Sequence, residues 1–157
     1  MINFGVGTLT ASPTVGNPVA LGYLQDVSIE FSGSKKMLFG SNQYPVDGAI
    51  GQRQITLKAK AGNILADALN LYLGATQTTQ GATTTQTGAN NPMGTTPFAQ
   101  IVLAGSYQGK AYTLTFPKVF CDKLNLSFKN EDYTIPELDF TAMADATGRP
   151  YTLAWDA

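Results

Sequence analysis

The sequence predicts a mainly β domain, an antiparallel sandwich or barrel of about eight strands with one flanking α-helix. Three observations carry this prediction. Apolar and polar residues alternate at spacing two along several segments, one segment has helical spacing, and stretches rich in Gly, Pro and Asn separate them. The 157 residues, 43% of them hydrophobic, are enough to form one ordered core.

The N-terminal segment differs in composition from the rest of the chain. Residues 1–18 carry no charged side chain and several Gly, Pro, Thr and Ser residues. This composition predicts an extended arm that is weakly structured in the monomer. Residues 19–157 then form a single β domain.

The first strand signal follows the arm, with apolar residues from Val19 to Phe31 on one face and Asp26, Ser28 and Glu30 on the other. Gly33 and Ser34 are expected to turn the chain into a short return strand. Residues 40–51 are interpreted as a loop because they contain a proline and three glycines. The clearest alternation comes next: Ile55, Leu57 and Ala59 on one face, and Gln54, Thr56, Lys58 and Lys60 on the other.

One helix is predicted over about residues 63–73. Asn63 can cap its start, and Gly74 stands where a C-terminal glycine belongs. The residues expected on its apolar face are Ile64, Leu65, Ala68, Leu69 and Tyr72.

Residues 75–96 form a low-complexity segment in which nine of 22 residues are Thr and none is charged. Such a composition cannot support a core of its own, which predicts a long loop that is flexible until a partner orders it. The remaining segments are interpreted as strands: Phe98 to Ala104, Ala111 to Phe116, Lys123 to Lys129, Ile135 to Met143 and Tyr151 to Trp155.

The composition argues against several classes of function. Charged residues make up 13% of the chain and its net charge is −1, so the positive footprint of a nucleic-acid reader is missing. The chain has no histidine, which removes the commonest general base and metal ligand. Cys121 is the one cysteine, which excludes an intramolecular disulfide and predicts a reduced compartment. The weakly charged surface suits self-association, although a neutral soluble domain has the same composition.

Two groups of side chains are candidates for a catalytic role. Glu137 and Asp139 lie two residues apart on one strand face, as a row of carboxylates. A glycosidase needs its two carboxylates facing each other across a cleft, so a solvated or interface-facing row is the favoured interpretation. Cys121 lacks a histidine partner and has apolar neighbours, which favours a packed thiol. No catalytic residue, metal site or cofactor is therefore predicted.

The order of these segments resembles the tail tube proteins of long-tailed, siphovirus-like bacteriophages. The resemblance covers about residues 19–155. The resemblance rests on five segments in this order: LGYLQDVSIEFSGSKKMLFG, the loop YPVDGAIG, the alternating segment QITLKAKA, the predicted helix NILADALNLYLG and the last segment KVFCDKLNLSFKNEDYTIPELDFTAMAD. It implies two packed antiparallel sheets flanked by a helix, in subunits that form hexameric rings stacked into a tube.

The resemblance also implies partners and a location. These are further copies of the chain, a tape-measure protein, a tail terminator, and viral DNA that passes through the lumen without specific binding. The protein would be assembled in the host cytoplasm and reside in the virion tail, with no membrane insertion. Related tubes of contractile tails share this arrangement.

Candidate residues follow from the same resemblance. The lumen of these tubes is acidic and hydrophilic, which makes Glu30, Glu137 and Asp139 the candidate lumen-facing residues. A departure from this pattern is that Lys58, Lys60, Lys123 and Lys129 lie on equally good polar strand faces. The arm and the loops 40–52 and 75–96 are candidates for contacts between rings or on the outside. Individual candidates for inter-ring contacts are Phe4, Val6, Tyr44, Pro45 and Met93.

Two rival functions remain open from the sequence. A ligand-binding β-sandwich module of a phage fibre or adhesin would need aromatic residues clustered at one end, whereas here they are dispersed. The second rival is another ring-forming tail component, such as a terminator or a head-tail joining protein.

Overall fold

A computed structural model describes residues 7–13, 18–21, 23–41, 43–62, 65–88, 95–128 and 135–156. Its elements are β1 (Thr8–Pro13), β2 (Val19–Ala20), β3 (Tyr23–Phe39), β4 (Pro45–Gly62), α1 (Leu65–Leu73), β5 (Thr76–Gln80), β6 (Thr83–Thr87), β7 (Phe98–Tyr107), β8 (Lys110–Asn125), β9 (Glu137–Ala142) and β10 (Thr152–Trp155). The fold class is confirmed: the protein is mainly β, with antiparallel sheets and one short helix.

The main sheet has the strand order β2-β1-β7-β8-β9-β4-β3, with β10 paired to β8 outside this path. All its pairings are antiparallel. β5 and β6 form a separate two-stranded sheet. One hydrophobic core serves both halves of the main sheet, since residues of β1 and β7 belong to the same buried cluster as residues of β4 and β9.

β8 lies between β7 and β9 in the main sheet and so joins the β2-β1-β7 half to the β9-β4-β3 half. It contains a bulge. Ile101 of β7 pairs with Phe116 of β8, and Ala99 pairs with Val119, so β8 has one residue more than its partner in this stretch. Pro117 lies in the bulge, a position where proline is tolerated because no N–H donor is needed for the pairing between strands. Beyond the bulge the strand also pairs with β9.

Aromatic packing joins the two halves of the sheet. The ring of Tyr151, just before β10, lies 5.5 Å from the ring of Phe31 in β3 and 6.4 Å from the ring of Phe116 in β8. Both distances are within the range of favourable aromatic pairs. The sheet is therefore folded over so that its apolar faces meet.

The helix lies close to its predicted position. It ends at Leu73, and Gly74 follows with φ of 62° and donates its N–H to the carbonyl of Asn70 at 2.8 Å. This is the left-handed cap that only glycine forms at low cost. Leu71, which the sequence did not place on the apolar face, is buried in the core. Tyr72, which it did place there, is 38% exposed.

The predicted N-terminal arm is wrong for residues 8–13. These residues form β1, which lies between β2 and β7 in the main sheet. The side chains of Leu9 and Ala11 are buried. Lack of charge, which suggested a weakly structured arm, is also what an interior strand requires.

The predicted turn at Gly33 is also wrong, because β3 continues to Phe39 and β4 begins at Pro45. A side chain at position 33 would bring its Cβ atom within 3.0 Å of Ile50 Cγ2. Gly33 thus makes room for a cross-strand neighbour. As a consequence, most of the predicted loop 40–51 is strand.

Part of the predicted loop 75–96 is ordered as the β5–β6 hairpin. Gly81, with φ of 61°, lies in its turn, and Thr79 Oγ1 and Thr84 Oγ1 are hydrogen-bonded at 3.0 Å. Threonine has high strand propensity, and this outweighs the low-complexity signal. In the part of the chain that is described, no helix has the length and apolar character needed to cross a membrane.

Candidate functional site: a charged sheet face and a projecting hairpin

Four neighbouring strands, β3, β4, β9 and β8, carry charged side chains on the face opposite the core. Residues directly paired in antiparallel strands point to the same face, so the register defines rows across the sheet. One row is Asp26–Lys60–Glu137–Asn125, and the next is Ser28–Lys58–Asp139–Lys123. These two rows, with Glu30 and Thr56 in the following one, are called the polar sheet face.

The first row contains an ion pair. Lys60 Nζ lies 3.0 Å from Glu137 Oε1, and both side chains are about half exposed. The hydrogen bond from Lys60, and then its charge, lower the pKa of Glu137 below its ordinary value. The hydrogen bond to Glu137, and then its charge, raise the pKa of Lys60. Because both side chains are about half exposed, screening by water keeps the contribution of the pair to the stability of the fold small.

The second row places Asp139 directly between two lysines, since it pairs with Lys58 on one side and with Lys123 on the other. The two rows surround a shallow depression of about 290 Å³. Three lysines and three carboxylates line it, so their charges balance. Thr141 continues the polar surface and donates a hydrogen bond to Asp122 Oδ2 at 2.6 Å.

The sequence-predicted lumen residues thus lie on one face, together with three of the four lysines that weighed against an acidic lumen. Glu137 and Asp139 are adjacent, while Glu30 lies in the next row, opposite Thr56. Lys129 lies outside the described residues. The sequence showed that each strand had a polar face, but strand adjacency decides which charges meet.

Replacing Lys60 with Met should raise the pKa of Glu137 toward its ordinary 4.5, because its main hydrogen-bond donor is removed. The stabilisation linked to Glu137 exists above its unfolded pKa and is lost as pH falls through the lowered folded pKa. The stabilisation linked to Lys60 exists below the unfolded pKa of Lys60, and it is lost as pH rises through its raised folded pKa. NMR titration of the Glu137 carboxyl carbon measures the change, with Lys58→Met as the control that leaves it nearly unchanged. An unmoved Glu137 pKa in Lys60→Met would contradict the assignment.

A second feature is the long β3–β4 hairpin, which projects beyond the core. Every described residue from Phe31 to Gln54 is exposed. Tyr44, at its tip, is 78% exposed, and Pro45 pairs with Phe39 next to it. Its exposed large apolar side chains are Phe31, Met37, Leu38, Phe39, Tyr44, Val46 and Ile50.

Tyr44 and Pro45 were expected at a contact surface, and both are exposed on this hairpin. The other three candidates, Phe4, Val6 and Met93, lie outside the described residues. Sequence analysis missed the apolar residues on the hairpin strands. The available signal was the run Met37-Leu38-Phe39 beside two lysines.

Cys121 is a packed thiol, as its apolar neighbours suggested. Burial raises its pKa to about 12, and its Sγ donates a weak hydrogen bond to the carbonyl of Lys123 at 3.4 Å. The thiol is therefore protonated at neutral pH and unsuited to nucleophilic attack. Among the described residues, no three Cys, Asp or Glu side chains are grouped as a metal site would need.

The sequence matches no protein-family model and no curated protein. Solved structures are similar over the whole chain. A protein in the tail of an empty gene transfer agent particle, refined with C6 symmetry, has a TM-score of 0.57, 12% identity and coverage of 100% of both chains. The chain has the tail-tube fold.

Two further structures with this fold come from other particles. One is a chain of the anti-feeding prophage baseplate, 6-fold symmetrised, with a TM-score of 0.55, 12% identity and coverage of 100% of this chain and 98% of that one. The other belongs to the PVC extracellular contractile injection system, at its sheath/tube terminator, with a TM-score of 0.54, 13% identity and coverage of 100% and 99%. The tail-tube fold agrees with the arrangement that the sequence resembled.

Proposed function

We propose that this chain is the repeating subunit of a phage-type tail tube, a structural virion protein whose copies close into hexameric rings and stack into a conduit for the genome. The observation that carries the proposal is the polar sheet face, an exposed charged surface across four strands whose other side is the core. A tube subunit needs such a surface for its lumen. The tail-tube fold over the full chain, shared with a particle tail of C6 symmetry, supports the hexamer.

In this proposal Glu30, Glu137 and Asp139 face the lumen, together with Lys58, Lys60 and Lys123. The alternation of charge keeps the wall hydrated but gives a phosphate backbone no continuous positive track to bind. DNA can therefore pass without being held. The acidic lumen implied by the resemblance becomes a charge-balanced one on the two central rows.

The contacts between subunits are assigned to the exposed apolar hairpin, with Tyr44 and Pro45 at its tip, and to the candidates Phe4, Val6 and Met93. Copies that associate by two different surfaces form a ring when the rotation closes, and rings that stack without closure form a filament. A tape-measure protein would fill the growing tube, and a terminator would end it. The protein would assemble in the host cytoplasm, reside in the virion tail and catalyse no reaction.

Negative-stain electron microscopy of the purified, concentrated protein tests the proposal. The expected result is rings that stack into tubes several nanometres wide. Rings that never stack, but that cap tubes of another protein, would identify a terminator instead. A monomer that never associates over a range of salt and protein concentrations would overturn the proposal and favour a ligand-binding module.

A further inference from the structure

The β5–β6 hairpin is a sheet of its own, and the outer edge of β5 is open. Its two strands pair with each other and with no other strand of the described chain. Gly81, with φ of 61°, suits the first position of a two-residue type II′ turn. The β6 side lies near the helix, since Gln86 is partly buried and a Cβ atom on Gly88 would lie 3.8 Å from Leu73 Cδ1. On β5, by contrast, residues 77–80 are all exposed, so this strand presents the accessible edge.

β5 has none of the features that protect a free strand edge. Natural proteins protect such edges with charged residues, prolines, bulges or very short strands. The outer strand β3 has four charged residues and three irregularities in its pairing, and β2 and β10 are two and four residues long. β5, with the sequence TQTTQ, has no charged residue, no proline and no bulge. Because a two-stranded hairpin is only marginally stable by itself, an added strand would stabilise it.

The pairing within the hairpin determines which backbone groups point outward. Gln80 and Thr83 flank the turn and so form a hydrogen-bonded pair, after which non-bonded and bonded pairs alternate. Thr79 and Thr84 are therefore a non-bonded pair, the kind in which side chains come closest, and their Oγ1 atoms lie 3.0 Å apart. The N–H and C=O groups of Thr79, and of Gln77 two residues earlier, consequently point away from β6.

We propose that β5 of one copy pairs antiparallel with β5 of a second copy, across a two-fold axis at Thr78. In this register Thr78 lies opposite its own counterpart, and Gln77 lies opposite Thr79 of the other copy. The outward N–H and C=O groups of Gln77 and Thr79 then bond across the interface. A second copy is the favoured occupant because the strand matches itself, with polar side chains opposite each other and no like charges. The two hairpins become one continuous sheet in the order β6-β5-β5-β6.

This contact is different from those that build a tube. Rotation about the tube axis and translation along it leave all copies pointing the same way. A two-fold contact therefore neither closes a ring nor stacks one ring on the next. It joins unassembled subunits, or copies in separate tubes, and does not require the proposed function.

Disulfide formation tests the register. In Thr78→Cys the new thiols face each other as a non-bonded pair, with Cα atoms about 4.5 Å apart, a distance that a disulfide spans. Thr85→Cys is the matched control, because Thr85 pairs with Thr78 but would lie three strand spacings, about 14 Å, from its counterpart. The native thiol of Cys121 is buried. Mild oxidation, at concentrations below those at which tubes form, should give a covalent dimer for Thr78→Cys and none for Thr85→Cys.

A second measurement removes an edge hydrogen bond and needs no cysteine. Thr79→Pro lacks the outward N–H group but keeps the bonds within the hairpin, since proline is tolerated at an edge position whose N–H faces solvent. It should raise the dissociation constant of the dimer about tenfold or more in analytical ultracentrifugation. Thr84→Pro is the matched control, because it loses the same Oγ1 contact but alters the edge of β6. Circular dichroism should show the same β content for both variants.

The outcomes for this contact and for the tube can be told apart. If Thr78→Cys and Thr85→Cys cross-link equally, or neither does, the contact is overturned, while tubes of the wild type would still support the proposed function. A dimer of Thr78→Cys in a protein that never forms rings or tubes supports the contact and overturns the tube. Equal weakening of the dimer by Thr79→Pro and Thr84→Pro counts against the contact. If Thr79→Pro prevents ring formation, β5 belongs to the tube wall and the two-fold contact is overturned.

Discussion

Replacing Phe116 with Ala should lower the free energy of unfolding by about 3–5 kcal/mol, the usual cost of removing a large buried aromatic side chain. Phe116 is fully buried, and its ring packs against Tyr151, the residue that also contacts Phe31. The substitution therefore removes apolar contacts at the point where the two halves of the sheet meet. A loss of this size is a large fraction of the stability of an ordinary domain.

Urea unfolding of the dilute, unassembled protein, followed by circular dichroism, measures this change. Phe128→Ala is the matched control, because it removes the same atoms from a side chain that is 71% exposed. Its midpoint should stay close to that of the wild type. If the two variants unfolded at the same urea concentration, the junction described around Phe116 would not be a structural centre.

The second large effect is expected on the retention of duplex DNA by the assembled tube. Glu137→Gln with Asp139→Asn removes two of the three carboxylates that balance three lysines in the two central rows of the polar sheet face. If this face lines the lumen, the assembled tube should change from one that does not retain duplex DNA to one that binds it. Binding should weaken with salt, with a log–log slope of about −0.9 for each lysine–phosphate contact.

A matched control separates position from net charge. Thr83→Lys with Thr85→Lys makes the same change of two charge units on exposed residues of β6. Co-sedimentation of short duplex DNA with the tubes, at two salt concentrations, compares the variants. DNA retention by the control alone, or equally by both, would show that the polar sheet face is not the surface that DNA meets.

Local patterns in the sequence determined the strand faces and the helix. The alternation around Ile55, Leu57 and Ala59 predicted a buried face, and all three side chains are buried. Gly74 marked the end of the helix because a left-handed cap is a local requirement. Such features depend on a few neighbouring residues, which is why they could be read without a structure.

Long-range pairing decided what the sequence could not. The burial of Leu9 and Ala11 depends on β7, which lies some ninety residues away along the chain. Gly33 has the chemistry of a turn, but its pairing with Arg53 on the opposite strand extends the hairpin instead. In each case a distant strand supplied the hydrogen bonds that local propensity could not foresee.

The candidate site, too, depends partly on local patterns and partly on long-range pairing. The sequence by itself determined that Glu137, Asp139, Lys58 and Lys60 lie on polar strand faces, because side chains alternate with a period of two. Only the tertiary structure decided that these charges face each other in two rows, because register and strand order are set by the pairing of distant segments.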